Sequence, residues 1–451
     1  MIKFSYDRDN STYLQDTIYT PLMSSLRFNY RIFDIFSEAY SIYVKTILED
    51  NDIAKDLPEL EKVVRHRINN IFDSRLREED FVDTLSDIIT IYSKLAKNTG
   101  FGQIYQNFSF LYTKWNNIFI EPIRDTFLRT PSHTISHLEK YSLFHYDRTY
   151  NNSDSISAIP AATTPILAVY AFINRHYILD LLPEISVIKN LLEQGFDIYA
   201  TDWGTPSVYD KDLTIGHFVN KYMDKSVDLI REITKSDKIS LLGYCWGGDL
   251  VLIYAALHPE KVKNVVTVAT PGDFTLDDTL LSIWSKKMDV DTLLDTFGNA
   301  PAMLFNSAFD LRNPIEYINK YPYFFERPHS LESISEFFAT EMWLNDSPPV
   351  IGEIYREFIK YCYQQNLFIK NQMNIDDMIV NLKNVDMPFL NVMAQKDDLV
   401  SPRSSAALNN AVGSIDKSVI EFQSGHVGLI IGKRSHKEVW PKVGEWLRTR
   451  S

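Results

Sequence analysis

A cysteine flanked by glycines is the first group in this sequence whose type and spacing could do chemistry. The run Gly243-Tyr244-Cys245-Trp246-Gly247-Gly248 has the pattern G-x-C-x-G-G, in which a strand turns sharply into a helix and presents a nucleophile at the turn. Glycines allow the close backbone approach that such a turn needs, and the N-terminus of the following helix favours a thiolate. The pattern therefore predicts that Cys245 is a nucleophile; a buried structural cysteine is the alternative interpretation.

An activated cysteine needs a base and an acid that orients the base. In sites built on this kind of turn, the acid follows the nucleophile along the chain and a histidine comes last. His426 lies in the loop directly after the last predicted strand, whereas His436 lies in a helix-like tail and is expected at the surface. Asp397 and Asp398 both follow a strand end and compete for the role of the acid. Either could instead cap the helix that begins near Pro402.

The negative charge that develops on a carbonyl oxygen under attack needs hydrogen-bond donors. The backbone N–H of Trp246, directly after the nucleophile, is one predicted donor. The loop after the first core strand is expected to supply the second, from Ile173 or Asn174.

The elements that must position these residues form an α/β pattern. Short β-rich runs are predicted at 166–172, 198–203, 239–244, 265–270, 389–394 and 419–422. Helix-like segments are predicted between them at 186–194, 218–234 and 249–257. Strands that alternate with helices indicate a mostly parallel sheet covered on both faces.

The same pattern divides the chain. Residues 1–140 show helical periodicity and are predicted to form a helical N-terminal domain, which either packs on itself or docks another chain or an apolar particle. Residues 141–451 are the predicted catalytic domain. An aromatic-rich, helix-like insertion at about 275–386 interrupts the strands; we interpret it as a cap over the site, the alternative being a helical subdomain without a gating role.

Composition excludes several classes of protein. The 451 residues carry a formal net charge of −13, which argues against a general nucleic-acid-binding protein. Two cysteines cannot build a disulfide framework, so a cytoplasmic protein is expected. The first residues do not resemble a secretory signal, and no apolar run is long enough to predict a transmembrane segment. Aromatic residues make up 13% of the chain.

Several sequence blocks together resemble the polyhydroxyalkanoate synthases. They are YAFINRHYILDL at 170–181, DWGTP at 202–206, GYCWGG at 243–248, VTVATPGDF at 266–274, WLNDSP at 343–348 and YQQN at 363–366. The resemblance is greatest to the class III, two-subunit branch, and it implies an α/β-hydrolase fold. It also implies that Cys245 is the nucleophile, Asp397 the catalytic acid and His426 the catalytic histidine. The family commonly has Asp-His where this chain has Asp397-Asp398.

The resemblance implies polymerisation of (R)-3-hydroxyacyl-coenzyme A, such as the short-chain 3-hydroxybutyryl-coenzyme A, into polyester through an acyl-cysteine. Coenzyme A is then a released product, and neither a cofactor nor a metal is expected. Arg175 and His176 are candidate contacts for its phosphates. Expected partners are the growing polyester, the granule surface in the cytoplasm, a second copy of the chain and an accessory subunit. The alternatives are a thioesterase or other hydrolase with the same nucleophile, and a non-catalytic protein that coats granules.

Overall fold

An eight-stranded, mostly parallel sheet organises the part of the chain that the structure describes. The computed structural model describes residues 130–146, 164–312 and 331–451. Nearly all of the predicted N-terminal domain lies outside these residues, so that domain and its boundary at 140 stay predictions. The strands are β1 (His133–Leu138), β2 (Tyr141–Tyr146), β3 (Ile166–Val169), β4 (Ile198–Asp202), β5 (Ile239–Tyr244), β6 (Val262–Val268), β7 (Met373–Ile375), β8 (Met378–Val380), β9 (Phe389–Ala394) and β10 (Lys417–Phe422).

The order of strands in the large sheet is β1-β2-β4-β3-β5-β6-β9-β10. Neighbouring strands from β4 to β10 are parallel, and β2 joins β4 antiparallel. All six residues of β5 and all six of β9 are buried, as expected for strands covered on both faces. The carboxyl ends of the parallel strands meet at one edge, where open α/β sheets place their functional loops.

Helices cover the faces of this sheet and fill the connections. They are α1 (Val187–Glu193), α2 (Asp224–Thr234), α3 (Trp246–Leu257), α4 (Leu280–Lys287), α5 (Val290–Phe297), α6 (Ala302–Arg312), α7 (Leu331–Asn345), α8 (Gly352–Glu357), α9 (Pro402–Ala406), α10 (Leu408–Ala411), α11 (Gly428–Ile431), α12 (Lys433–Glu438) and α13 (Trp440–Arg448). Wider π-helical turns precede α2 at His217–Met223 and follow α8 at Phe358–Gln364. The α/β architecture predicted from the sequence is confirmed.

The insertion between β6 and β9 is mainly helical, with α4 to α8 in its described residues. It also contains the small antiparallel hairpin β7–β8, which the sequence pattern did not predict. The insertion contacts the sheet domain next to the cysteine, because the ring of Trp246 stacks on Phe358 with 3.8 Å between centroids. We call the residues 275–386 the cap from here on. None of the helices in the described residues combines the length and the apolar composition that a membrane span requires.

Candidate active site

Cys245 occupies a strained turn between β5 and α3. Its backbone has φ 56° and ψ −129°, a left-handed conformation that is costly for a residue with a side chain. Two hydrogen bonds hold the turn: the Cys245 N–H donates to the carbonyl of Val268 at 2.9 Å, and the Gly248 N–H donates to the carbonyl of Cys245 at 2.8 Å. The side chain is partly exposed, although the strand before it and the helix after it are buried. This is the geometry that a nucleophile at a sharp strand-to-helix turn requires.

The glycines of the pattern are explained by close approaches around this turn. A Cβ atom on Gly243 would collide with the backbone of Gly247 and Gly248. A Cβ on Gly247 would collide with the carbonyl of Val169 at the end of β3. The sequence therefore brings α3 against the sheet more closely than residues with side chains would allow.

His426 and Asp397 form a buried, hydrogen-bonded pair on the loops after β10 and β9. The Nδ1 of His426 donates to Oδ2 of Asp397 at 2.8 Å, and the two side chains are 5% and 2% exposed. The other carboxylate oxygen of Asp397 accepts the backbone N–H groups of Leu399 and Val400, each at 2.9 Å. Because both oxygens are held, the carboxylate fixes the orientation of the imidazole.

The imidazole of His426 also interacts with the side chain of Cys245, which completes a line of three groups. Burial lowers the pKa of His426, but the negative charges of Asp397 and Cys245 and their hydrogen bonds outweigh it and raise the pKa to about 10. A positively charged imidazole beside the sulfur stabilises a thiolate. The three residues predicted for nucleophile, acid and base are thus adjacent in the fold.

Asp398, the competing acid, points elsewhere. It is half exposed and pairs with Arg312 of the cap, with 2.7 Å between Oδ1 and Nη1. His436 was wrongly expected at the surface, since it is buried and its Nε2 hydrogen-bonds the carbonyl of Ile430 at 2.6 Å. Neither residue belongs to the line of three groups.

The predicted oxyanion donors lie on the two segments that flank the turn. Trp246 is the first residue of α3, so its N–H has no carbonyl partner within the helix. The contact of Gly247 with Val169 brings the end of β3, and with it the start of the loop that contains Ile173 and Asn174, against the first turn of α3. Asn174 has a left-handed φ of 62°. The assignment of the second donor stays a prediction.

Arg175 and His176, predicted to contact coenzyme A, make contacts within the protein. The Arg175 guanidinium donates to the Gly204 carbonyl at 3.1 Å and to the Thr205 hydroxyl at 2.8 Å, and its Nε lies 3.4 Å from Asp346. The imidazole of His176 lies 3.4 Å from Asp202 and stacks on the ring of Phe144. Both side chains hold the loops at the carboxyl edge of the sheet, and their contact with coenzyme A stays a prediction.

Reasoning from the sequence missed three residues close to Cys245. Tyr170 and Tyr244 are buried, and their rings lie 5.9 Å apart. For both, burial raises the pKa far above the usual tyrosine range, and the negative charge of Cys245 raises it further. The third, Asp249, is fully buried in the first turn of α3. A carboxylate inside an otherwise apolar helix, WGGDLVLIYAAL, was the signal in the sequence that could have identified it.

The fold and this site define the class of protein. A family model described as the alpha/beta hydrolase fold matches residues 164–433, from β3 through the loop that carries His426. The chain belongs to that family, which confirms the fold expected from the resemblance.

Curated relatives define the family more closely. Three proteins named Poly(3-hydroxyalkanoate) polymerase subunit PhaC are similar to this chain. That of Haloferax mediterranei is 39% identical, over 72% of this chain and 65% of its own length. Those of Allochromatium vinosum and Synechocystis are 38% and 35% identical, over 71% of this chain and 89% and 85% of their own lengths. The chain therefore belongs to the PhaC family of polymerase subunits, which are acyltransferases.

Proposed function

We propose that this protein polymerises 3-hydroxyacyl-coenzyme A into polyhydroxyalkanoate through an acyl-cysteine at Cys245. The observation that carries the proposal is the line Cys245–His426–Asp397, located where a nucleophile and its base must lie in this fold. Membership of the PhaC family supports the polyester product. The proposed monomer is short, such as (R)-3-hydroxybutyryl-coenzyme A.

In the first half of the reaction, the thiolate of Cys245 attacks the thioester carbonyl and a tetrahedral oxyanion forms. The backbone N–H of Trp246, with that of Ile173 or Asn174, stabilises the oxyanion. The bond to coenzyme A breaks, and the departing sulfur takes the proton of His426. The acyl group is then bound to the sulfur of Cys245 as a new thioester, and coenzyme A leaves as a free thiol. His426 has given up its proton and is neutral.

In the second half, the neutral imidazole of His426 accepts the proton of a 3-hydroxyl group from another monomer or chain. The hydroxyl oxygen attacks the acyl-cysteine, an ester forms, and the Cys245 thiolate is released. Asp397 keeps the imidazole oriented and stabilises its positive charge. The net change is one thioester and one hydroxyl converted to one ester and one free coenzyme A, with no cofactor consumed.

The partners and location that we propose follow from this chemistry. The growing chain is insoluble in water, so the enzyme would work at the surface of a polyester granule in the cytoplasm. A second copy of the chain and an accessory subunit are proposed on the resemblance to the class III branch. Arg175 and His176 stay candidates for contact with coenzyme A, because both side chains remain partly exposed.

Incubation of the purified protein with 3-hydroxybutyryl-coenzyme A tests this proposal. Release of coenzyme A together with an insoluble polymer is the expected result. Release with free 3-hydroxybutyrate would identify a thioesterase, and no release would identify a non-catalytic granule protein. The Cys245→Ala variant should release no coenzyme A, and persistent release would disprove the nucleophile. Cys245→Ser is the matched control for space, since it replaces the thiol with a hydroxyl of similar size that does not ionise near neutral pH.

A further inference from the structure

Asp249 is a buried carboxyl group that the proposed reaction does not use. It lies in the first turn of α3, four residues after Cys245, and its side chain is fully inaccessible. Neither carboxyl oxygen has a hydrogen-bond partner within the described residues. An ionised carboxylate without hydrogen bonds or a positive partner is strongly disfavoured in a protein interior.

The groups that interact with Asp249 do not neutralise a negative charge. Burial raises the pKa of Asp249 well above its usual range, the negative charge of Cys245 raises it further, and its own backbone amide opposes both effects. Cys362 and Tyr363 of the cap also interact electrostatically with Asp249, and burial is the first cause that raises their own pKa values. The ionisable side chains that interact with Asp249 therefore offer no positive charge to compensate a carboxylate.

The charges of the active site also favour a neutral Asp249. Under the proposed mechanism, one cation, the His426 imidazolium, compensates both the Asp397 carboxylate and the Cys245 thiolate. A second buried carboxylate close to the sulfur would oppose the thiolate, since like charges in a low-dielectric interior repel strongly.

We propose that Asp249 is held as a neutral carboxylic acid behind the nucleophile, and that its proton and the negative charge of Cys245 are coupled. Asp249 is then a positioning residue: it keeps its proton while Cys245 is a thiolate, and it holds the proton less firmly once acylation removes that charge. This coupling is reciprocal by thermodynamic necessity. The inference rests on the proposed role of Cys245, which the release of coenzyme A by the wild-type protein tests separately.

Infrared spectroscopy of the full chain, labelled with ¹³C-aspartate, detects the proposed proton directly. At pH 7 we expect the carbonyl stretch of a buried carboxylic acid in the wild-type protein, lost in Asp249→Asn and retained in Asp398→Asn, which changes an exposed carboxylate instead. In Cys245→Ala the band should disappear at a pH lower than in the wild type by about one unit or more. Absence of the band at pH 7, equal midpoints, or a band that survives in both proteins to the highest pH tested would overturn the proposal.

Alkylation of Cys245 by iodoacetamide gives a second, independent measurement. Because Asn is a neutral isostere of the protonated acid, the pH of half-maximal alkylation should differ by less than about half a unit between the wild type and Asp249→Asn. A fall of about one unit or more in the variant would mean that Asp249 is charged in the wild type, which would overturn the proposal. If Asp249→Asn does not fold, the infrared comparison of the wild type with Cys245→Ala still tests the proposal, because it needs no substitution at Asp249.

Discussion

At the scale of single residues, the adjacent carboxylates Asp397 and Asp398 differ in their partners: Asp397 is hydrogen-bonded to His426, whereas Asp398 pairs with Arg312 of the cap. Cys245 and His426 lie at the positions that their local patterns predict, at the turn after β5 and in the loop after β10. Asp397 and Asp398 are adjacent and chemically identical, so the residues alone left them equal. The difference is that the N–H groups of Leu399 and Val400 fix Asp397 against His426, a backbone arrangement with no signature in side-chain types.

We predict that replacing these two carboxylates by amides has very different effects on coenzyme A release. Asp397→Asn should lower the rate of coenzyme A release by about 100-fold or more, because the amide is uncharged and its oxygen accepts the N–H groups of Leu399 and Val400, which leaves an NH2 group facing the imidazole. Asp398→Asn removes only an exposed pair with Arg312 and should stay within about threefold of wild type. Steady-state kinetics with 3-hydroxybutyryl-coenzyme A measure both, and impairment of Asp398→Asn alone would refute the assignment.

The raised pKa of His426 predicts how stability depends on pH. The pKa is about 10 in the fold and 6.5 for the unperturbed residue, so the fold binds this proton more tightly than the unfolded chain does. The resulting stabilisation is fully present below about pH 6.5 and is lost as the pH rises through 10. In urea denaturation, the difference in unfolding free energy between wild type and His426→Gln should therefore be larger at pH 6 than at pH 10. An equal difference at both values would contradict the ion pair.

At the scale of elements, the fully buried strands β5 and β9 match the prediction in their bounds, whereas the hairpin β1–β2 at one edge of the sheet was not predicted. The bounds of β5 and β9 match the prediction because a continuous apolar run is a strong signal. The hairpin β1–β2 was missed because β1, HTISHL, is polar and largely exposed at the edge of the sheet. The sequence predicts that α3 begins at Asp249, because Gly247 and Gly248 have low helix propensity. The helix begins three residues earlier, at Trp246, because close packing against the sheet favours glycine in its first turn.

Gly247 and Gly425 provide a matched test of this packing. Gly247→Ala should destabilise the protein by at least about 1–3 kcal/mol and abolish coenzyme A release, because its Cβ meets the backbone carbonyl of Val169, which cannot rotate away. Gly425→Ala, next to His426, meets its nearest atom at 3.6 Å and should be tolerated. Urea denaturation and the release assay measure the two effects. Equal stability of the two variants would mean that the turn does not require a glycine at 247.

At the scale of the whole catalytic unit, the cap is joined to the loop that carries the predicted oxyanion donors. The side-chain amide of Asn174 donates to the Ser347 hydroxyl at 2.8 Å, and the indole N–H of Trp343 donates to the carbonyl of Arg175 at 2.8 Å. The hydroxyl of Tyr177 donates to Asp346 at 3.0 Å. The sequence predicted a cap from the length of the insertion, but these links connect residues about 170 positions apart and could not be predicted from local patterns.

Aromatic rings form a second contact between the cap and the sheet domain, next to the nucleophile in the chain. Trp246 lies between Cys245 and the cap, stacked on Phe358, and Phe274 meets Tyr363 edge-on with 4.7 Å between centroids. Rigid apolar surface of this kind excludes water. Exclusion of water is what separates ester formation from hydrolysis of the acyl-cysteine, so part of the 13% aromatic content has a chemical purpose under the proposed function.

Loosening the cap should therefore change the product before it stops the reaction. In the double variant Trp343→Phe/Ser347→Ala, the cap loses two hydrogen bonds to the loop at 174–175, while Cys245, His426 and Asp397 are untouched. We expect coenzyme A release to continue with a higher ratio of free 3-hydroxybutyrate to polymer, measured by chromatography of the soluble acid and weighing of the precipitate. Met303→Ala, an exposed change on α6 of the cap, is the control and should leave the ratio unchanged. Loss of release with no free acid would show instead that the links are needed to form the site, and the water-excluding role of this junction would have to be abandoned.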